Sequence, residues 1–158
     1  MRKKKANEAK EAPVSGANAE QIGGSHYKSK FEHWDLVEET GMGYLEANCS
    51  RYVVRWRAKD GLEGLKKAHH YARKLLEVVA TGKRVNKAMI GTRKDNDGKL
   101  LRGAEFCQIN SLTKTETDVV LRLINWQTSD HIQEIMALIT GMIDGYDGYM
   151  QHNKVAQF

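Results

Sequence analysis

Residues 48–77 read NCSRYVVRWRAKDGLEGLKKAHHYARKLLE. Apolar side chains recur through this stretch at spacings of three and four, with one interruption at Asp60-Gly61. At 100° per residue, Leu45, Cys49, Val53 and Trp56 fall within about 80° of one another, which makes them the buried stripe of a helix. Beyond the interruption, Leu62, Leu65, Ala68, His69, Ala72, Leu76 and Val79 form the matching stripe of a second helix. The Asp-Gly pair is a turn signal. A connection this short allows only an antiparallel hairpin, one helix from Tyr44 to about Lys59 and the next closed by Thr81-Gly82. His69 reads as a packed side chain. His69 and His70 project about 100° apart and cannot readily share a metal ion.

Working outward, FEHWDLVEET makes a short helix stopped by Gly41 and Gly43. Met1 to Gln21 is polar and holds the only proline, so it reads as a flexible tail with a basic MRKKK start. After Lys83, MIGTRKDNDGKLLRGAEFCQIN places a DNDG turn between two short mixed segments, compatible with a small β-hairpin near 87–108 or with a loop. Thr113 and Glu116 fit a capping box that opens a helix running to about Trp126. SDHIQEIMALITGMIDGYDGYM then reads as a last helix. Its stripe of Ile132, Ile135, Met136, Ile139, Met142, Ile143, Tyr146 and Tyr149 either covers the hairpin or meets a second copy of the chain. Its width favours a homo-oligomer. The expected fold is mainly α, a helical hairpin with C-terminal helices. The expected division is a tail at 1–21, a hairpin domain at 22–82 and a packing or oligomerisation region at 83–158.

At 158 residues and 41% hydrophobic content, the chain can build one core. Its net charge of +5 favours anionic partners. Cys49 and Cys107 lack metal-ligand spacing and read as free thiols of a reducing compartment. No apolar run reaches the roughly 18 residues of a membrane span, and the basic start has no apolar segment after it, so a soluble, intracellular protein is expected.

The first hairpin helix carries a second pattern. Asn48, Arg51, Tyr52, Arg55 and Lys59 lie over about 100° of its surface, between the buried stripe and a second apolar edge of Ala47, Val54 and Ala58. A face kept only for solubility would be broad and mixed in sign. Guanidinium forks at i and i+4 match phosphate oxygens. Lysine adds a point charge, tyrosine can stack on a base, and asparagine can hydrogen-bond either. That inventory suits a nucleotide. On the following helix, Glu63, Lys66, Lys67, His70, Arg73, Lys74 and Glu77 read mostly as solvated surface.

GGSHYK, then FEHWDLVEE, EANCSRYVVRWRAKDG and LKKAHHYARKLLE together resemble a family of small tailed-phage proteins long treated as a domain of unknown function. The family is typified by a coliphage kinase that phosphorylates dTMP and dGMP without a recognisable P-loop. The resemblance rests on His26, Tyr27, Asn48, Arg51, Tyr52, Arg55, Lys59, Leu65, Lys66, Lys67, Ala68 and Tyr71, and spans residues 23–77. Ala47 and Arg51 depart mildly from the family pattern, and everything after Lys83 lies outside it. The resemblance implies a nucleotide-phosphate site at His26, Tyr27, Asn48, Arg51, Arg55 and Lys59, with Lys66, Lys67 and Tyr71 contributing from the facing helix. It also implies a host cytoplasmic location in an infected bacterium.

Kinase chemistry on such a site would use ATP with Mg²⁺, and Arg55 and Lys59 are the catalytic candidates, since phosphoryl transfer is mostly positioning and charge neutralisation. GTRKDNDGKL is not a P-loop, because six residues separate its glycines. Glu32, Asp35 and Glu39 form an acidic stripe on the short helix that could hold the metal. A binding-only alternative needs no metal: an oligomeric sponge that sequesters a nucleotide signal. A pyrophosphohydrolase would need carboxylates on two adjacent helices, and an EF-hand reading of DNDG fails at Lys99. Nucleic acid is a less favoured partner, because the cations sit between apolar edges.

Overall fold

The computed structural model describes residues 16–20, 22, 29–82 and 84–155. These are helical, with no strand among the described residues: α1 His33–Thr40, α2 Tyr44–Arg55, α3 Gly61–Ala80, α4 Arg93–Ile109, α5 Lys114–Asn125, α6 Ser129–Asp144 and α7 Tyr146–Val155.

The hairpin of α2 and α3 forms, with the buried face of α3 turned from the expected stripe: Leu75 is fully buried, while Leu62, His69, Leu76 and Val79 are half-buried. Cys49 and Val53 from α2, Trp56 just after it, and Leu65, Ala68, Ala72 and Leu75 from α3 are all buried. The first helix ends sooner than its pattern suggests, at Arg55, and residues 56–60 make a turn. Asp60 and Gly61 both take left-handed backbone, φ 73° and 52°, which reverses the chain. At the far end Gly82, φ 72°, stops α3 as a C-terminal cap should. Gly41, φ 71°, ends α1 in the same way.

The described residues 84–155 do not stand apart from the hairpin. α6 lies on α3 and α5, α5 also lies on α2, and α4 bridges α5 and α1. One apolar core runs through all of them and includes Leu36, Phe106, Val120, Leu123, Trp126, Ile132 and Ile139. Burying this much aliphatic surface at about 25 cal/mol per Å² is the main force joining the two halves. Ile132, Ile135 and Ile139 of the stripe are fully buried inside the chain, so this part covers the hairpin, while Met136, Met142, Ile143 and Tyr146 are half-buried and Tyr149 is exposed. Gly145 divides the last helix in two, and Tyr146 and Tyr149 of α7 pack on Trp56 at ring-centroid distances of 6.0 and 5.0 Å.

The segment near 87–108 is helical, with neither hairpin nor loop beyond a single 3₁₀ turn at Lys87–Met89. Thr92 and Asp95 form a reciprocal capping box: Asp95 N donates to Thr92 Oγ1 and Thr92 N to Asp95 Oδ2, both at 3.2 Å. The DNDG sequence therefore sits in the first turns of α4, where Asp is favourable at the positive end of the helix dipole. The expected box at Thr113 and Glu116 also forms. Part of the presumed tail is ordered against α1: Asn18 Nδ2 donates to Asp35 Oδ2 at 2.6 Å, and its Oδ1 accepts from Trp34 Nε1. Met1 to Ser15, His26 and Tyr27 lie outside the described residues.

Cys49 and Cys107 are free and buried. Burial pushes both thiols up, Cys107 to about 11, which leaves them protonated and unreactive. Among the described residues no helix is long and apolar enough to cross a membrane.

Candidate functional site

The α2 side chains separate into inward and outward sets that the helical wheel alone does not distinguish. Glu46 and Ser50, both polar, are buried. Glu46 accepts from Arg84 Nη2 through both oxygens, at 2.6 and 2.7 Å. Gly43 permits this approach, because a Cβ there would lie 2.1 Å from Arg84 Nη2. Ser50 Oγ donates to Ala47 O at 3.0 Å and lies 2.7 Å from His33 Nε2, which joins α1 to α2. Burial, with a smaller contribution from Arg51, lowers the His33 imidazole to about 4. At neutral pH His33 is therefore neutral and helps to hold two helices together.

Arg57, which lies outside the cationic stripe, reaches a second sealed carboxylate. Glu116 accepts from Arg57 Nη2 at 2.8 Å and Nε at 3.2 Å, from Trp56 Nε1 at 2.7 Å, and from Thr113 N at 2.8 Å. It is 1% exposed. A carboxylate that only capped its own helix would be expected from the sequence. Its use as a receiver for two side chains of the turn after α2 was not readable there, because the partners are 59 and 60 positions away.

The outward face gathers aromatics and cations. Tyr52 and Tyr71 stack across the hairpin, centroids 6.0 Å apart with rings 17° from parallel. Tyr44 meets the edge of Tyr71 at 6.3 Å and is 71% exposed. Burial first, then a hydrogen bond with Tyr44, raises the Tyr71 phenol above its ordinary value. The Arg55 guanidinium carbon and Lys67 Nζ both lie over the Tyr52 ring, 4.9 and 5.5 Å from its centre. Beside them is an open groove of ≈ 400 Å³ lined by Tyr52, Glu63, Lys66, Lys67, His70 and Tyr71. Four of these six come from the list read off the sequence; Glu63 and His70 do not, having been assigned to solvated surface. What could have found them is their position facing Tyr52 once the hairpin register is known.

Asn48, Arg51, Arg55 and Lys59 sit on the same helix and its following turn but do not line that groove. Asn48 Nδ2 donates to Tyr44 O at 2.9 Å. Arg51 and Lys59 are exposed. Arg55 is engaged by Asp60, Nε and Nη2 both donating to Oδ2 at 3.0 and 2.7 Å. The second apolar edge expected to hem in the cations is open: Ala58 is exposed, and Ala47 and Val54 are half-buried. Aromatics and cations therefore interleave on one accessible face.

The acidic stripe of α1 is distributed among protein donors. Glu32 accepts from Ser29 N at 2.8 Å, Asp35 from Asn18, and Glu39 from the Arg102 fork at 2.5 and 2.9 Å. Among the described residues no group of three or more His, Cys, Asp or Glu side chains is placed to hold a metal ion. The stripe does not fit Mg²⁺ as it stands. With this geometry in view, no family model matches the chain, and neither a curated protein nor a solved structure is detectably similar to it.

Proposed function

We propose that the chain binds a nucleotide on the outer face of the α2–α3 hairpin, as a P-loop-less nucleoside monophosphate kinase-like protein of the tailed-phage family it resembles, working in the cytoplasm of an infected bacterium. The observation that carries this reading is the Tyr44–Tyr71–Tyr52 ring series set against Arg51, Arg55, Lys66 and Lys67 beside an open groove. Exposed aromatic faces take bases, at about 1–3 kcal/mol per stacked base, and clustered guanidinium and ammonium groups take phosphates. Tyr44 and Tyr52 are the stacking candidates, and the Lys and Arg side chains are the phosphate donors. ATP with Mg²⁺ is the phosphoryl donor this reading implies.

A sponge that binds without transfer is the second reading, favoured by the carboxylate placement: α1's acids are held by protein donors, and Glu63 at the groove pairs with Lys67 at 3.3 Å. One experiment separates them. Calorimetry against 5′-mononucleotides and cyclic nucleotides, with ATP and Mg²⁺ varied separately, is followed by a turnover assay with dTMP and dGMP. The kinase reading expects the diphosphate product and its loss in Arg55→Ala with the fold intact. Stoichiometric binding of an unchanged nucleotide selects the sponge. Affinity for long DNA that collapses with salt, with none for mononucleotides, overturns both.

A further inference from the structure

Arg55 is the best fork on the proposed phosphate face, yet it already holds an anion. Its Nε and Nη2 both point at a single oxygen of Asp60, Oδ2. The carboxylate reaches it because Asp60 adopts left-handed backbone, φ 73° and ψ −24°, a conformation disfavoured for residues with a side chain, although Asp tolerates it better than most. Gly61 follows at φ 52° and completes the reversal. Two features set this pair apart from the other half-buried or buried guanidinium–carboxylate pairs. Its carboxylate keeps 19% exposure, whereas Glu46 and Glu116 keep 1%. Its contact is end-on to one oxygen, whereas Arg84 and Arg57 engage both oxygens of their carboxylates. Asp60 also adds, behind Glu63 and Tyr52, to the field that holds the Lys67 ammonium above its ordinary value. The carboxylate is therefore held by a guanidinium that, like Lys67, lies over the Tyr52 ring, and a phosphate bridging these cations would take oxygens to the same guanidinium.

We propose that Asp60 is a built-in competing anion, occupying the Arg55 fork until the phosphate of a ligand displaces it. The proposal rests on the nucleotide reading above. Exchange is feasible because a half-exposed carboxylate can return to water, while a sealed one such as Glu116 would leave buried donors without partners. Phosphate offers more acceptor oxygens to the same donors than the single Oδ2 now used. The turn at residues 56–60 is then closed by Asp60 in the free protein and released on binding.

The test uses the full chain and inorganic pyrophosphate as the probe, by calorimetry. Asp60→Asn keeps the side-chain shape and tolerates left-handed backbone, and Asp60→Gly relieves it altogether. Both should bind pyrophosphate about fivefold more tightly than the parent, the factor that corresponds to a half-exposed pair. In an Arg55→Gln background the same change should give no gain, and Glu63→Gln, which removes a charge from the same groove, should gain less than Asp60→Asn. Equal affinity in Asp60→Asn and the parent, a gain that survives Arg55→Gln, or an equal gain from Glu63→Gln would overturn the proposal. If pyrophosphate binds with the Asp60 change silent, the nucleotide reading stands and only the role of Asp60 falls. If no form binds it, both fall.

Discussion

Arg55 and Arg57 are two residues apart, and each holds a carboxylate, but the two pairs belong to different parts of the molecule. Glu116, itself buried, receives Arg57, Trp56 and its own helix cap and so joins the turn after α2 to α5. Asp60 receives Arg55 alone, locally, at the open edge of the hairpin. The difference lies in what replaces the contact when it breaks. Water can solvate Asp60 and Arg55, whereas the Glu116 carboxylate and the Trp56 Nε1 donor it accepts from are out of water's reach. One pair is therefore architecture and the other is exchangeable. The same division runs along α2, with Glu46, Ser50 and the His33 contact inward and Tyr44, Arg51 and Tyr52 outward.

The comparison breaks most visibly at the sealed end. Glu116→Ala should lower unfolding free energy by about 3–5 kcal/mol, because it empties a buried site, leaves the buried Trp56 Nε1 and the Thr113 backbone N–H without their acceptor and takes the partner from Arg57. Urea unfolding followed by circular dichroism checks this, and a loss below about 1 kcal/mol would mean that Glu116 is not sealed. His33 gives the next largest effect. The unfolded imidazole takes up its proton near pH 6.5, the folded one only near 4. Stability should therefore be full above pH 6.5 and fall as pH drops through that window, by up to about 3 kcal/mol. His33→Gln should remove that part of the acid sensitivity, so the two urea midpoint profiles should diverge between pH 6.5 and 4.

At the open face the effects move from stability to binding. Tyr44→Ala, at a position 71% exposed, should leave unfolding free energy within about 0.5 kcal/mol. It should weaken the nucleotide found by calorimetry by about 1–3 kcal/mol if a base stacks there. Asp60→Asn is the smallest perturbation and should change unfolding free energy by no more than about 1 kcal/mol, as expected of a half-exposed pair. A loss as large as that of Glu116→Ala would erase the distinction between the two pairs.

Much of the architecture was legible. The hairpin of α2 and α3, its Asp-Gly turn, the glycine stop after α3 and the Thr113–Glu116 box follow from local rules of periodicity and capping. α4 was not, although its Thr92–Asp95 box was present in the sequence. DNDG carries the chemistry of a turn, and the apolar residues of α4, Leu100, Leu101, Phe106, Cys107 and Ile109, do not gather into one stripe. Its helix is settled by packing on α1 and α5. The aromatic and cationic members of the candidate site were legible by type. Their state was not, because the engagement of Arg55 depends on a left-handed Asp60, and the α1 carboxylates depend on Asn18, Ser29 and Arg102.

By itself, the sequence determined which segments are helical around the hairpin and which faces of α2 and α3 are apolar, since both are set by neighbours within about four positions. Only the tertiary structure decided where the Ile132–Ile139 stripe goes, which carboxylates are sealed, and which cations meet aromatic rings. Those outcomes depend on contacts between residues distant in the chain, where burial determines whether a charge pair can be exchanged for water.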